Sequence, residues 1–303
     1  MEEKTANIGG IGPILILGGT GMLGHVLFIR LSLDYCYNVY TTVRSKDNIP
    51  KWFPQELLER VISGVDVDNY DSVIRVITDI RPVVVINCIG IITQVPAAKD
   101  PIISISINSL FPHHLAQLCK GVGSRMIHIS TDCVFDGMKG NYVEDDPSDA
   151  NDLYGRTKFL GEVDYPHCVT LRTSLIGHEL KGGRGLIEWF LAQEGRVRGF
   201  TQAIFSGFPT VEMARIIGEY VIPNEKLKGL YQVSSEPISK YKLLQLVATR
   251  YGKNIVIEPY NNFRLDRSLD SNRFRQETGY NPPAWAELVD RMYQNFIGSQ
   301  CYQ

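Results

Sequence analysis

A cluster of glycines directly follows a short, wholly apolar run near the start of the chain. The run is Ile14-Leu15-Ile16-Leu17, and the cluster is Gly18-Gly19-Thr20-Gly21-Met22-Leu23-Gly24. Four successive apolar residues are typical of a strand buried on both faces of a sheet. Glycines after such a strand allow a tight turn, and they let backbone N–H groups approach a pyrophosphate at the start of the next helix. We therefore expect a dinucleotide site whose phosphate-binding residues are Gly18, Thr20, Gly21, Met22 and Leu23.

Apolar strand-like runs and helical patterns alternate through the first half of the chain. The predicted strands are Ile14–Leu17, Val39–Val43, Val61–Val67, Val83–Ile86 and Arg125–Ser130. The predicted helices are Met22–Leu33, Tyr70–Asp79 and Leu110–Lys120. This alternation predicts an α/β fold: a Rossmann-type, doubly wound parallel sheet with helices on both faces.

The alternation weakens after Arg172, where glycines and prolines interrupt the pattern. We expect strands to become rarer there. The prediction is a dinucleotide-binding domain over residues 12–173 and a smaller substrate-binding lobe over 174–303. Residues 229–235 are expected to return to the main sheet.

The residues after the second and third strands favour NADPH over NADH. A site for NAD usually has an acidic residue at the end of the second strand, to hold the ribose 2′-hydroxyl. Here that position has no acid, and Arg44 follows instead, where it could pair with a 2′-phosphate. Asp66 and Val67, after the third strand, are expected beside the adenine. NADH remains an alternative, with Arg44 then a solvated loop residue.

Composition excludes several classes of protein. Lysine and arginine number 31 against 33 acidic residues, so the net charge is −2 and no basic excess indicates a nucleic-acid partner. The six scattered cysteines are typical of reduced thiols, which predicts a cytoplasmic location. Residues 6–29 carry no charge, but seven glycines and one proline interrupt them, so this stretch does not predict a membrane span. The adjacent His113 and His114 would point about 100° apart on a helix, so no metal site is expected.

A tyrosine and a lysine four residues apart form the candidate catalytic pair. Tyr154 and Lys158 would share one helix face, and a nearby ammonium group would lower the pKa of the phenol. Tyr154 could then protonate a ketone oxygen while Lys158 holds the nicotinamide ribose. A hydroxyl partner, Thr131, lies 23 residues earlier at the end of a predicted buried strand. Polar groups at such strand ends gather at the binding edge of a parallel sheet.

These motifs together resemble the extended short-chain dehydrogenases/reductases, and more narrowly the dTDP-4-dehydrorhamnose reductase group. The motifs that carry the resemblance are Gly18–Gly24, Asn87-Cys88-Ile89-Gly90, Asn108, Ser130–Gly137, Tyr154–Lys158 with Gly161-Glu162, Leu171–Ser174, Gly207–Thr210 and Ser268-Leu269-Asp270. The resemblance implies catalysis by Thr131, Tyr154 and Lys158, and cofactor contacts at Cys88, Ile89, Gly90 and Asn108. It also implies a nucleotide sugar held between the lobes, with Thr131, Asp132, Cys133 and Arg172 as substrate-binding residues.

The implied activity is reduction of a 4-keto-6-deoxysugar carried on a nucleotide, in deoxysugar or cell-surface polysaccharide biosynthesis. Sugar-nucleotide dehydratases of this superfamily have a glutamate as base where this chain has Cys133, so dehydration is not expected. A cysteine there resembles GDP-fucose synthase and the bifunctional epimerase/reductases, which use a thiol for epimerisation. A bifunctional 3,5-epimerase/4-reductase using Cys133 and His178 is therefore one alternative.

Another alternative is a non-catalytic, cofactor-binding regulator, because a relative of these reductases is the regulatory subunit of methionine adenosyltransferase. Helix-pair dimers are frequent in the superfamily, so a homodimer is compatible with the sequence. Within the first predicted helix, His25 is expected to be a partly buried structural residue.

Overall fold

A computed structural model describes residues 11–302 of the chain. Its centre is a parallel sheet of seven strands in the order β10-β6-β5-β4-β1-β2-β3. A three-stranded sheet has the order β11-β8-β12, and β7 pairs with β9. The strands are β1 (Ile14–Leu17), β2 (Val39–Val43), β3 (Val61–Ser63), β4 (Val84–Asn87), β5 (Arg125–Thr131), β6 (Cys168–Thr173), β7 (Leu175–Ile176), β8 (Arg196–Phe205), β9 (Phe208–Pro209), β10 (Gly229–Gln232), β11 (Ile238–Ser239) and β12 (Val256–Asp266).

Helices cover both faces of the seven-stranded sheet. They are α1 (Gly24–Leu33), α2 (Ile49–Trp52), α3 (Tyr70–Ile80), α4 (Pro101–Ser104), α5 (Phe111–Val122), α6 (Leu153–Leu160), α7 (Leu186–Ala192), α8 (Thr210–Ile216), α9 (Lys240–Tyr251), α10 (Asn272–Thr278) and α11 (Trp285–Gly298). π-Helical turns span Ile105–Leu110 and Ile217–Val221. Short 3₁₀ turns span Gln55–Arg60, Pro96–Lys99, Asp132–Val134 and Gln300–Tyr302.

The alternate side chains of β1 supply two hydrophobic cores, one on each face of the sheet. Ile14 and Ile16 pack on the face covered by α1, α8 and α11, while Leu15 and Leu17 pack on the face covered by α3 and α5. All four residues are fully buried, which is why the strand is apolar at every position. The Rossmann-type α/β prediction is confirmed, with a smaller sheet region in the second half of the chain.

The strand order changes direction between β1 and β4, which have neighbours on opposite sides. At such a point the connections leave the sheet in opposite directions and open a crevice beyond the carboxyl ends of the strands. The glycine loop after β1 and the turn after β4 therefore border the same cleft.

The structure differs from the predicted elements in three places. The third strand ends at Ser63 rather than Val67, because Gly64 turns the chain with a φ of +79°. Helix α1 begins at Gly24 rather than Met22. The helix predicted from Leu110 begins at Phe111, and the π-helical turn Ile105–Leu110 precedes it.

The prediction that strands become rarer after Arg172 was wrong. Six strands begin after Arg172 in the described part of the chain, and two of them, β8 and β12, are the longest there. Most of β12 is exposed or half-buried, so its residues show no apolar run that a sequence pattern could identify. Strand β10 pairs in parallel with β6 and forms one edge of the main sheet.

Over residues 11–302, the helices are all too short or too polar to cross a lipid bilayer. Residues 6–10 of the uncharged stretch noted above lie outside the described residues. The remainder of that stretch forms β1, the glycine loop and the first half of α1.

Candidate active site

The cleft beside β1 brings together most of the predicted cofactor residues. Gly18 and Gly21 border it on one side, and Cys88, Ile89 and Gly90 border it on the other. The lining residues are Gly18, Thr20, Gly21, Thr42, Val43, Arg44, Val65, Asp66, Val67, Asp68, Cys88, Ile89, Gly90, Ile91 and Ile107. Leu23 differs from these residues, because its side chain is 6% exposed and packs in the core. Only its backbone is therefore available to a ligand.

Close packing explains the glycines of the loop. Gly18 has a φ of +89°, a conformation that strains other residues. At Gly24, a Cβ atom would lie 2.2 Å from the carbonyl oxygen of Gly18, so a side chain would push the helix away from the strand. The N–H groups of Met22 and Leu23 have no acceptor within residues 11–302. Two unpaired donors at the start of α1 are what a diphosphate requires.

Arg44 projects from the end of β2 at the rim of this cleft. Its side chain is exposed, and its guanidinium group forms no ion pair with any residue of the described chain. Asp66 lines the same cleft, and its side-chain oxygen accepts a hydrogen bond from the N–H of Asp68. Arg44 is therefore free to meet a phosphate group.

The candidate catalytic residues come from the end of β5 and the first turns of α6. Asp152 caps α6, because its Oδ1 accepts a hydrogen bond of 2.8 Å from the N–H of Gly155. Gly155 permits close packing, since a Cβ there would lie 2.2 Å from the carbonyl oxygen of Cys133. This approach places Tyr154 close enough to Thr131 for the threonine hydroxyl to influence the phenol. In the structure that hydroxyl donates to Oδ1 of Asp132 at 3.1 Å and accepts from the N–H of Cys133 at 3.1 Å.

The structure does not show the predicted decrease in the pKa of Tyr154. Burial raises the pKa of Tyr154 well above its usual value, and the neighbouring Cys133 adds to the increase, while the nearby Thr131 opposes it. Burial lowers the pKa of Lys158 to about 8, against a smaller opposite effect of Glu162. Lys158 donates a hydrogen bond of 2.8 Å from Nζ to the carbonyl oxygen of Ile129. The phenol therefore keeps its proton, as an acid must before it donates.

Asn108 holds the backbone turn that borders the cleft after β4. Its Oδ1 accepts from the N–H of Ile91 at 2.8 Å, and its Nδ2 donates to the carbonyl of Ile91 at 3.0 Å and to Thr157 Oγ1 at 3.3 Å. The π-helical turn places Asn108 there, and π-turns are frequent at functional sites. The side chain thus fixes the turn that follows Gly90, and its predicted contact with the cofactor stays a prediction.

Arg172, predicted to bind substrate, is committed to a buried ion pair. Its Nε and Nη2 donate to the two carboxylate oxygens of Glu162, each at 2.7 Å, and its guanidinium lies 5.2 Å from the ring centre of Phe135. The side chain is 3% exposed, and Nη1 has no partner in the described chain. Strand β6 is buried on both faces, so the arginine needs a partner inside the protein.

Cys133 and Asp132 lie beside a cation that the sequence analysis missed. Arg267, which follows β12, donates from Nη1 to Cys133 Sγ at 3.3 Å, and its Nε is buried without a partner in the described chain. Burial raises the pKa of Cys133 to about 12; Asp132 adds to the increase and Arg267 opposes it. Burial also raises the pKa of Asp132. The sequence offered one indication of Arg267, because this residue immediately precedes the Ser268-Leu269-Asp270 motif.

His178 has its hydrogen-bond partners elsewhere, not at Cys133. Its Nδ1 is 2.6 Å from Glu188 Oε1, and its Nε2 is 2.8 Å from the hydroxyl of Tyr251. The side chain is 1% exposed, and its ring stacks on Phe296 at 4.0 Å. Both ring nitrogens are occupied inside the protein, which counts against the predicted pairing with Cys133 in epimerisation.

Curated relatives match this chain over different lengths. A dTDP-4-dehydrorhamnose reductase from Streptomyces griseus is 36% identical over 99 residues, a third of either chain. A dTDP-4-dehydrorhamnose reductase from Aggregatibacter actinomycetemcomitans is 30% identical over 267 residues, covering 77% of this chain and 88% of that one. The methionine adenosyltransferase 2 subunit beta of Danio rerio is 26% identical over 258 residues, covering 78% of this chain and 73% of that one.

Solved structures share the fold. A dTDP-4-dehydrorhamnose reductase from Bacillus anthracis, in complex with NADP, superposes with a TM-score of 0.76 at 22% identity, covering 93% of this chain and 99% of that one. The family model described as the RmlD substrate binding domain matches residues 12–297. The chain therefore belongs to the RmlD substrate binding domain family, the dTDP-4-dehydrorhamnose reductase-like branch of the extended short-chain dehydrogenases/reductases.

Proposed function

We propose that this protein is an NADPH-dependent reductase that acts on the 4-keto group of a nucleotide-linked 4-keto-6-deoxysugar. The observation that carries the proposal is that Thr131, at the end of β5, lies beside the buried Tyr154, with Lys158 one helical turn further along α6. Two such hydroxyl groups can donate hydrogen bonds to one carbonyl oxygen from two directions. The role would lie in deoxysugar or cell-surface polysaccharide biosynthesis, as in the reductases to which the chain is similar.

The residues around the cleft fit a dinucleotide. The free N–H groups of Met22 and Leu23 suit its diphosphate, and the unpaired Arg44 suits a 2′-phosphate. The Bacillus anthracis structure was solved with NADP, which agrees with this preference. NADH remains the alternative donor. When bound, the reduced nicotinamide supplies the hydride that reaches the carbonyl carbon.

The chain's own residues then handle the proton. The Thr131 hydroxyl, which donates to Oδ1 of Asp132 in the structure, turns to donate a hydrogen bond to the ketone oxygen and so orients the carbonyl. Tyr154 transfers its phenolic proton to the same oxygen, which becomes the alcohol. Lys158, buried and cationic below pH 8, stabilises the phenolate that remains. General acid catalysis of this kind contributes about 10²- to 10⁴-fold to a rate.

A bifunctional epimerase/reductase is less well supported. Epimerisation beside the ketone needs a base that removes a C–H proton, and Cys133 keeps its proton because burial raises its pKa to about 12. The proposed opposing acid, His178, is occupied by Glu188 and Tyr251. A regulatory role, as for the methionine adenosyltransferase subunit, does not require a threonine beside Tyr154, which this chain has.

The test is the loss of NADPH absorbance with dTDP- and UDP-4-keto-6-deoxyglucose, each with and without an added 3,5-epimerase. Consumption only with the epimerase supports a plain 4-reductase. Consumption without it, yielding a product with inverted C3 and C5, would favour the bifunctional enzyme. No consumption with either nucleotide, together with stable association with a methionine adenosyltransferase catalytic subunit, would favour the regulator.

A further inference from the structure

A buried histidine contacts the carbonyl side of the phosphate-binding loop. His25, in the first turn of α1, is fully buried, and its Nδ1 lies 2.8 Å from the carbonyl oxygen of Gly21. A carbonyl oxygen can only accept, so Nδ1 carries the proton. In the neutral ring, Nε2 is then a bare acceptor. Burial lowers the pKa of His25 to about 4, which keeps the ring neutral at physiological pH.

The acceptor nitrogen of His25 is used by a residue 277 positions away. The hydroxyl group of Tyr302 lies 2.6 Å from Nε2, and the two rings meet edge to face at 5.6 Å. Because Nε2 has no proton, the tyrosine is the donor. A directional chain of hydrogen bonds thus runs from Tyr302 through His25 to the carbonyl of Gly21.

The turn that carries Tyr302 is itself held in place. Gln300–Tyr302 packs on α2, the short helix that follows the Arg44 loop. The Tyr302 ring contacts Phe296 at 5.6 Å and His178 at 5.4 Å. His178 is anchored by Glu188 and Tyr251, as described above. The hydroxyl of Tyr302 is therefore presented to His25 by packed side chains of the second half of the chain.

The Gly21 carbonyl belongs to the same peptide plane as the N–H of Met22. A trans peptide is rigid, so a bond that fixes the carbonyl also fixes the direction of that N–H, which points the opposite way. The Met22 N–H is one of the two unpaired donors at the start of α1. Fixing it before a ligand arrives reduces the ordering cost of binding.

We propose that Tyr302 and His25 are positioning residues that hold the Gly21–Met22 peptide for the diphosphate of the dinucleotide. The proposal rests on the cofactor-binding part of the proposed function and assigns a role in it to a turn about 280 residues from the loop. A histidine that served only to fill the core would need no directional bond from Tyr302. The two interpretations differ in which part of the cofactor each variant should affect.

The deciding variant is Tyr302→Phe, which removes one oxygen and keeps the ring. The matched control is Tyr293→Phe on α11, whose ring contacts Tyr251 and lies under Arg250 but does not touch the loop. Affinity is measured by titration with NADPH, with 2′-phospho-ADP-ribose and with 2′-AMP, which has no diphosphate. Tm is measured in parallel.

We expect Tyr302→Phe to bind NADPH and 2′-phospho-ADP-ribose about three- to tenfold more weakly, with 2′-AMP unchanged, and Tyr293→Phe to behave as wild type. His25→Gln, whose amide cannot span both partners, should show the same selective loss. Combining it with Tyr302→Phe should add little, because both break one chain of bonds. If Tyr302→Phe does not fold, His25→Gln alone tests the selectivity.

Two results would overturn the proposal while the proposed function stands: unchanged NADPH affinity in both variants, or an equal loss for NADPH and 2′-AMP. If the wild-type protein binds none of 2′-AMP, NADH and NADPH, the proposed function and this inference are both overturned.

Discussion

The ammonium group of Lys158 donates a 2.8 Å hydrogen bond to the carbonyl of Ile129, two residues before Thr131 on the same strand. This bond holds the ammonium group against the last residues of β5, where the side chain is buried. The cost of that burial appears in the pKa of Lys158, which is lowered to about 8 from the usual 10.5. The candidate active site therefore contains a cation whose pKa lies close to neutral.

A pH profile should report this titration. Lys158 is protonated below its lowered pKa and neutral above it, so stabilisation of the Tyr154 phenolate is present at neutral pH and is lost as pH rises. We expect kcat/KM for NADPH, which reports groups of the free protein, to fall above about pH 8. In Lys158→Arg the guanidinium group keeps its proton throughout this pH range. The variant should be less active than wild type, but its kcat/KM should not decrease further above about pH 8. A wild-type profile that stays flat to pH 9.5 would contradict this assignment.

The choice of cofactor should depend on Arg44. The side chain is exposed and unpaired within residues 11–302, so removing it leaves the fold intact. We expect Arg44→Ala to lose about ten- to a hundredfold in NADPH affinity, because hydrogen bonds to charged groups contribute about 1.5–3 kcal/mol, while NADH affinity stays constant. Lys46→Ala, on the same loop, is the control and should change neither. Equal affinity of Arg44→Ala and wild type for NADPH would remove Arg44 from the site.

Stability should depend on a buried carboxylate that joins α8 to α11. Glu212 is 1% exposed; it accepts a bond of 2.9 Å from the Tyr280 hydroxyl and pairs with Arg215 at 2.8 Å and with Arg291. Glu212→Gln removes the charge from this group and leaves two guanidinium ions facing each other. We expect the free energy of unfolding in urea to fall by about 3 kcal/mol.

The control for Glu212 is an exposed ion pair. Glu258→Gln breaks the pair with Arg196, whose side chain is 75% exposed, and should cost less than about 1 kcal/mol. Equal effects of the two substitutions would show that the buried network is not what joins the helices.

The first half of the fold was predictable because its signals are local. The Ile14–Leu17 strand, the glycines after it and the Tyr154–Lys158 spacing each occupy a few consecutive residues, and buried parallel strands require apolar side chains at every position. The small sheet escaped prediction because β12 is mostly exposed and has no apolar run. The division into a dinucleotide-binding domain and a substrate lobe stays a prediction.

The parts of the site that the sequence did not indicate depend on long-range contacts. Arg267 reaches Cys133 across 134 positions, and Tyr302 reaches His25 across 277. Arg172 illustrates the converse, because the family resemblance implied substrate binding, whereas in the structure its guanidinium group is paired with Glu162. The lowered pKa expected for Tyr154 ignored desolvation, which only the folded environment determines.

The most direct test of the central claim compares Tyr154→Phe with wild type in the NADPH-consumption assay, using dTDP-4-keto-6-deoxyglucose and added 3,5-epimerase. Since the variant lacks only the proposed acid, it should bind NADPH with wild-type affinity yet turn over at least about a hundredfold more slowly. Wild-type turnover in Tyr154→Phe, or a wild-type protein that consumes no NADPH with any 4-keto-6-deoxysugar nucleotide, would contradict the proposed reduction.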